Sequence, residues 1–255
     1  MGPNSESLTM SKKMEPSIEN LVKKTGFLVL GITFLLTSLS LINPTKVSMR
    51  MEAKSLVKGK AMVINAEIFY QYDQGNLVTR YLPPLDYLFI TNQKGEAKVY
   101  YPKTNEVYLK QSAEYDSEKS LLYFFLSNKM SDLGLKDMGF SITDTRFEDK
   151  LVITTWFPPA ALVNLYGKVE LVHEDYKPIY IAYYDRSGKV MRKIFYYEYA
   201  SFPQFSMPTK VVEFDYVAPN DSIVNKITYS NILTGDKANS SYFNFKIPVN
   251  AKVKK

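Results

Sequence analysis

KAMVINAEIFYQYDQGNLVTRYLPP, residues 60–84, is the stretch whose reading decides the fold class. Apolar side chains recur at every second position through Ile64, Ala66, Ile68, Tyr70 and Tyr72, with Asn65, Glu67, Gln71 and Asp73 between them. That period belongs to a strand with one buried face; the apolar positions of a helix return every three or four residues. Asp73-Gln74-Gly75-Asn76 is a turn sequence, and Leu77–Leu82 returns as a second strand. Pro83-Pro84 stops it, because proline has no N–H to give to a ladder.

Outward from this hairpin the alternation continues to the C-terminus. Tyr87–Thr91 and Ala97–Tyr101 flank a turn at Asn92–Gly95, and Lys103–Asn105 leads into Glu106–Lys110. Further strands are predicted at Phe140–Thr145, Leu151–Phe157, Lys168–Glu174, Pro178–Tyr184, Val190–Tyr199, Lys210–Tyr216, Ile223–Ile232 and Tyr242–Ile247. Short strands with regular turn signals are the mark of an all-β sheet or barrel. One interruption stands out. Ser117 and Glu118 precede SLLYFFLSNKM and predict a capped helix over Ser117–Met130, with Leu121, Leu122, Phe124, Phe125 and Met130 on its apolar face. Asp132–Met138 is expected to add a short second helix. Thr45–Gly59 shows no clear period and reads as a short amphipathic helix or coil. No low-complexity linker or second globular domain is visible.

The N-terminus carries a different signal. Gly26–Ile42 (GFLVLGITFLLTSLSLI) holds no charge and follows Lys23-Lys24. At about 17 residues it lies between the apolar core of a secretory signal and a spanning helix. Lys12, Lys13, Lys23 and Lys24 form the flank expected to stay cytoplasmic, so the body faces outward whether the segment is cleaved near Ser38 or Ser40 or retained as an anchor. We expect residues 1–45 to be the tail and signal or anchor, and 46–255 to be the exported domain, in the periplasm. About 210 residues follow Ile42, enough for one substantial core. The chain has no cysteine, so it has neither an acylation site of the lipobox kind nor disulfides.

Catalytic signatures are scarce. There is no Gly-x-Ser-x-Gly, and the single histidine, His173, lies on a strand with the apolar Val169 and Leu171 on its own face. Alternation sends Glu170 and Glu174 to the opposite face, which breaks up a metal constellation. Glycines sit singly at turns, so no phosphate cradle is formed, and the basic residues are mixed with acidic ones along the chain, which shows no nucleic-acid stripe. We expect no enzyme activity, no cofactor and no nucleic-acid partner. A wide sheet with one apolar face must instead be closed, stacked or covered, and two short helices are too little to fill it. The 20 tyrosines and 15 phenylalanines suit the wall and mouth of an apolar cavity.

The order of these pieces resembles the LolA-like family of periplasmic lipoprotein carriers. An early strand pair ends at Tyr81-Leu82-Pro83-Pro84, and Tyr100–Val107 carries Tyr-Tyr-Pro-Lys-x-Asn-x-Val. An apolar helical stretch follows, then Trp156–Pro159, Asp185–Lys189 with a long strand, and a closing Phe243–Pro248 of the form Phe-x-Phe-x-x-Pro. The resemblance covers Lys60–Val253. It implies a large antiparallel sheet curled into an unclosed barrel, with helices over the concave face. It also implies a carrier that shelters acyl chains of lipoproteins or other lipids on the way to the outer membrane, with membrane components as further partners. The alternative is a membrane-tethered sensor that uses the same fold to recognise a lipid or protein signal. Under the resemblance, Tyr70, Tyr72, Leu121, Leu122, Phe124 and Phe125 are the expected ligand-binding residues, and Arg80 the expected latch of the helical cover.

Overall fold

The computed structural model describes residues 46–57, 59–71, 74–218 and 221–254. The expectations for residues 1–45 and for Tyr72 lie outside these. The first half of the body is a meander of six strands: β1 (Lys46–Val57), β2 (Lys60–Gln71), β3 (Asn76–Tyr81), β4 (Tyr87–Thr91), β5 (Glu96–Tyr101) and β6 (Glu106–Gln111). The second half is another: β7 (Ser141–Glu148), β8 (Leu151–Phe157), β9 (Lys168–Glu174), β10 (Lys177–Tyr184), β11 (Val190–Ser201), β12 (Ser206–Ala218) and β13 (Asp221–Thr234). A short β14 (Lys252–Lys254) pairs in parallel with β6. Together they form one 14-stranded sheet ordered β14-β6-β5-β4-β3-β2-β1-β13-β12-β11-β10-β9-β8-β7. The sheet does not close: β14 and β7 are its edges.

The halves are joined by β1, which pairs with β2 on one side and β13 on the other. This corrects the expectation of helix or coil over Thr45–Gly59. Val47 and Met49 are buried on the inner face while Arg50 is exposed on the outer one, so the period is two. Met, Ala, Glu and Lys are good helix formers, but a ladder on both sides overrides that preference.

Topology also explains the covered face. β6 lies near one edge of the sheet and β7 forms the other, so residues 112–140 must cross from edge to edge. They cross the inner face. Tyr123 meets Tyr70 of β2 edge-on at 6.4 Å, and Phe125 meets Tyr196 of β11 at 5.4 Å. Those strands are four apart in the order, about 19 Å in a flat sheet at ~4.8 Å per strand. One short helix touches both because the sheet curls around it. The resulting core includes Ile68, Tyr70, Leu135, Trp156, Leu171, Ile181 and Val211.

The crossing segment is less helical than its sequence predicts. Only Leu121–Leu126 is α-helix (α1), after a 3-10 turn at Ser117–Lys119. Ser120 caps it, accepting from the Tyr123 N–H at 3.1 Å. Asn128, at φ 56°, leaves the right-handed region. Asp132–Met138 forms turns and no helix, with Leu133 and Leu135 buried. The tail departs too: Ser241–Asn244 is a 3-10 turn, not part of a strand. Phe243 and Tyr242 wedge against Phe69 on the outer face of β2, at 5.6 and 5.1 Å, and make a second small core with Val78, Leu88, Tyr100 and Val107.

Candidate functional site: a cavity under the crossing segment

Between the crossing segment and strands β10–β12 lies a cavity of about 650 Å³. Its apolar wall comes from Leu121 and Phe124 of α1, Leu133 beyond it, and Ile181, Ile194 and Tyr196 of the sheet. Residues 192, 194 and 196 of β11 fall on the inner face, as the burial of Ile194 and Tyr196 shows, so one strand supplies a graded wall from Arg192 to Tyr196. Gly134 sits against this wall at φ 81°, and a Cβ there would lie 2.3 Å from the Phe124 ring. Only a residue without a side chain permits that approach. The volume falls in the range of small-molecule sites, about 300–1,000 Å³.

The polar groups are unevenly placed. The exposed Lys119, Lys129 and Asp137 also line the cavity. Lys129 donates to the Tyr123 hydroxyl at 3.2 Å and lies 5.0 Å from its ring, contacts that hold its pKa above the ordinary lysine value. On the sheet side Arg192 forms ion pairs with Glu213 at 3.2 Å and Asp215 at 3.3 Å. Burial disfavours the guanidinium charge, and the two carboxylates outweigh that, so its pKa is raised. Deeper in, burial pushes the Tyr183 phenol up to about 12 and the Tyr196 phenol well above its usual value. Tyr196 is 2% exposed, and its hydroxyl has no hydrogen-bond partner among the described residues.

Of the sequence-predicted residues, Leu121 and Phe124 line this cavity. Phe125 is buried beside it against Tyr196 and Tyr199, and Leu122 packs on the same core. Tyr70 is 1% exposed under Tyr123 and belongs to the core floor; burial holds its phenol neutral far into the alkaline range. Arg80 is placed elsewhere. Its register partner Glu67 shares the outer face with Phe69 and Val78, and Arg80 pairs with Glu67 at 3.0 Å and lies 5.2 Å from the Tyr242 ring. It is therefore on the face opposite α1 and does not reach the crossing segment. His173 faces inward, as its strand pattern implies, with Nε2 3.1 Å from the Met130 carbonyl. Burial lowers its pKa. Among the described residues no group of three or more His, Cys, Asp or Glu side chains is placed to hold a metal.

Sequence reading missed Ile181, Ile194, Tyr196 and Arg192. The pattern I-F-Y-Y-E-Y marked a strand, and only the register of β10–β12 shows which of its rings turn inward.

Solved structures share this architecture. A domain of an outer membrane lipoprotein-sorting protein from Vibrio parahaemolyticus superposes at TM-score 0.54 and 12% identity, over 78% of this chain and 89% of that one. A LolA superfamily protein from Nitrosomonas europaea gives 0.50 and 11%, over 76% and 87%. The fold is LolA-like. A DUF1329 family protein from Desulfovibrio piger has the same LolA-like architecture at 0.53 and 13%, over 78% and 90%. At these identities the likeness concerns the fold. No protein-family model and no curated protein sequence matches the chain. No helix among the described residues is long and apolar enough to cross a membrane.

Proposed function

We propose that the chain is a non-enzymatic carrier that shelters acyl chains of lipoproteins, or of other lipids, for transfer toward the outer membrane. Residues 1–45 serve as signal or anchor and 46–255 as the lipid-binding domain in the periplasm. The observation that carries this reading is the cavity between the crossing segment and β10–β12, walled by Leu121, Phe124, Ile181 and Ile194. The name of the Vibrio parahaemolyticus neighbour, a lipoprotein-sorting domain, supports the same substrate class. Partition supplies the affinity, since each methylene taken out of water contributes about 0.8 kcal/mol. Handover then needs the crossing segment to move by enough to free the chain.

The test is binding of the uncharged fluorophore N-phenyl-1-naphthylamine to the purified protein, with displacement by an acylated lipopeptide. Saturable binding and competitive displacement are expected, and Leu121→Trp, which adds bulk at a half-buried wall position, should lower both. Absence of saturable binding, with the variant indistinguishable from wild type, would refute the carrier reading.

A further inference from the structure

At one end of the sheet two hairpins project side by side. β1 and β2 are paired as far as Val57 opposite Lys60, β12 and β13 as far as Ala218 opposite Asp221, and β1 pairs with β13 up to Leu56 opposite Val224. β2 is buried at Ala66 and from Ile68 to Gln71, yet Lys60–Val63 are all exposed. Four large apolar side chains at this end face water: Leu56 at 46%, Met62 at 53%, Val63 at 44% and Val217 at 58% exposure. Leu56 and Val63 point to the outer face and Met62, opposite Ser55, to the inner one. An apolar surface present on both faces is not a sheet face awaiting a second layer; it is a tip.

Lysines stand among these groups, with Lys54 directly opposite Val63. Lys54 and Lys226 are direct cross-strand partners, and Lys60 begins β2. Like charges placed opposite one another weaken a sheet. Glu52 at 2.9 Å answers Lys54. Exposed aliphatic groups at the extremity with cationic groups interleaved among them match the boundary between acyl chains and anionic headgroups. Four side chains offer far less than the ~800 Å² per partner of a stable protein interface.

We propose that the paired β1–β2 and β12–β13 tips are a docking surface for an anionic phospholipid bilayer. The opposite end of the sheet supplies an internal control. Lys46 lies at the other end of β1, about 36 Å away at ~3.3 Å per residue. The β9–β10 turn, with Tyr176 at 94% exposure, lies at that end as well, because β10, β11 and β12 alternate in direction.

The chain has no cysteine, so a single introduced one can be labelled uniquely. Full-length Val217→Cys and Tyr176→Cys proteins, each carrying an environment-sensitive nitrobenzoxadiazole label, are reconstituted into phosphatidylcholine vesicles. A second vesicle population containing phosphatidylglycerol and brominated lipid is then added. The expected result is a blue shift and bromine quenching at position 217 and neither at 176. Lys54→Gln with Lys226→Gln should weaken the response roughly 25-fold, at about five-fold per lysine. No quenching at 217, equal quenching at both positions, or quenching that ignores headgroup charge would each overturn the proposal.

Discussion

Replacing Tyr196 with phenylalanine should make the ligand-free protein more stable, against the usual direction of core substitutions. The ring is 2% exposed and packs edge-on against Phe125 at 5.4 Å, contacts that phenylalanine keeps. The hydroxyl, buried without a partner among the described residues, contributes a desolvation cost and no bond. Such a group costs about 1–3 kcal/mol. For a domain of this size each kcal/mol moves the melting temperature by roughly 2–4 °C, so a rise of roughly 2–12 °C is expected. Tyr199 on the same strand gives the opposite sign. Its hydroxyl donates to the Pro178 carbonyl, so Tyr199→Phe removes a bond and should lower stability by about 1 kcal/mol. Urea titrations of the two variants beside wild type separate the cases. A Tyr196→Phe midpoint at or below that of wild type would show that the hydroxyl has a partner, and would sink the argument.

Two further outcomes follow from the placements of Arg80 and His173. Arg80→Leu should leave probe binding and release unchanged and cost at most about 1 kcal/mol, because its half-exposed pair with Glu67 lies on the face away from α1; retention of cargo by this variant, seen in a vesicle-transfer assay, would restore the latch. For His173, burial lowers the folded-state pKa, so above the ordinary value of ~6.5 both folded and unfolded chains carry it neutral. As pH falls below that value the unfolded chain takes up a proton that the folded one resists, and stability drops until the folded-state pKa is passed. His173→Gln keeps a donor for the Met130 carbonyl and lacks this titration, so the stability it loses between about pH 7.5 and about pH 5 should be smaller than in wild type; identical acid sensitivity would count against it.

Much of the fold was legible because one-sided burial leaves a period-two trace. β2, β8, β9 and β10 were visible within a residue or so, and the unclosed, covered sheet followed from the residues and the resemblance together. What failed has physical reasons. β1 reads as a poor strand by composition, since its outer face of Ser48, Arg50, Glu52 and Lys54 and its inner Met49, Met51 and Ala53 would suit a helix equally well. It is a strand because β2 and β13 both offer it ladders, and β13 lies far away in sequence. Phe243-x-Phe245 alternates like a strand, yet its rings wedge onto the second core from a 3-10 turn. The site was half legible. A helix face announces itself through Leu121 and Phe124, whereas the opposing wall of Ile181, Ile194 and Tyr196 depends on which strands the curl brings beneath the helix. Arg80 was misplaced because the resemblance supplied a role without a face; the pairing with Glu67 fixes the face.

How the cover is attached constrains how the cavity opens. Directional bonds hold the crossing segment on either side of α1: the buried Ser117 hydroxyl donates to the Gly75 carbonyl at 2.6 Å, and the Met130 carbonyl meets His173 Nε2 at 3.1 Å. Between them, α1 meets the sheet through rings and aliphatic groups such as Tyr123, Phe124 and Phe125. Apolar contacts are not directional and can be exchanged for those of an acyl chain at little cost. A hinged swing would break one of the buried end bonds, whereas an outward bow of residues 118–129 breaks neither. Six residues are too few for a helix to persist alone in water, so a bow that lifts α1 from the sheet also loosens its own backbone bonds. Opening is then a local unfolding step, and it is reversed most readily when something apolar refills the space beneath. Under the proposed function, uptake is favourable where an acyl chain replaces the contacts that α1 gives up, and release where α1 settles back onto Tyr70 and Tyr196.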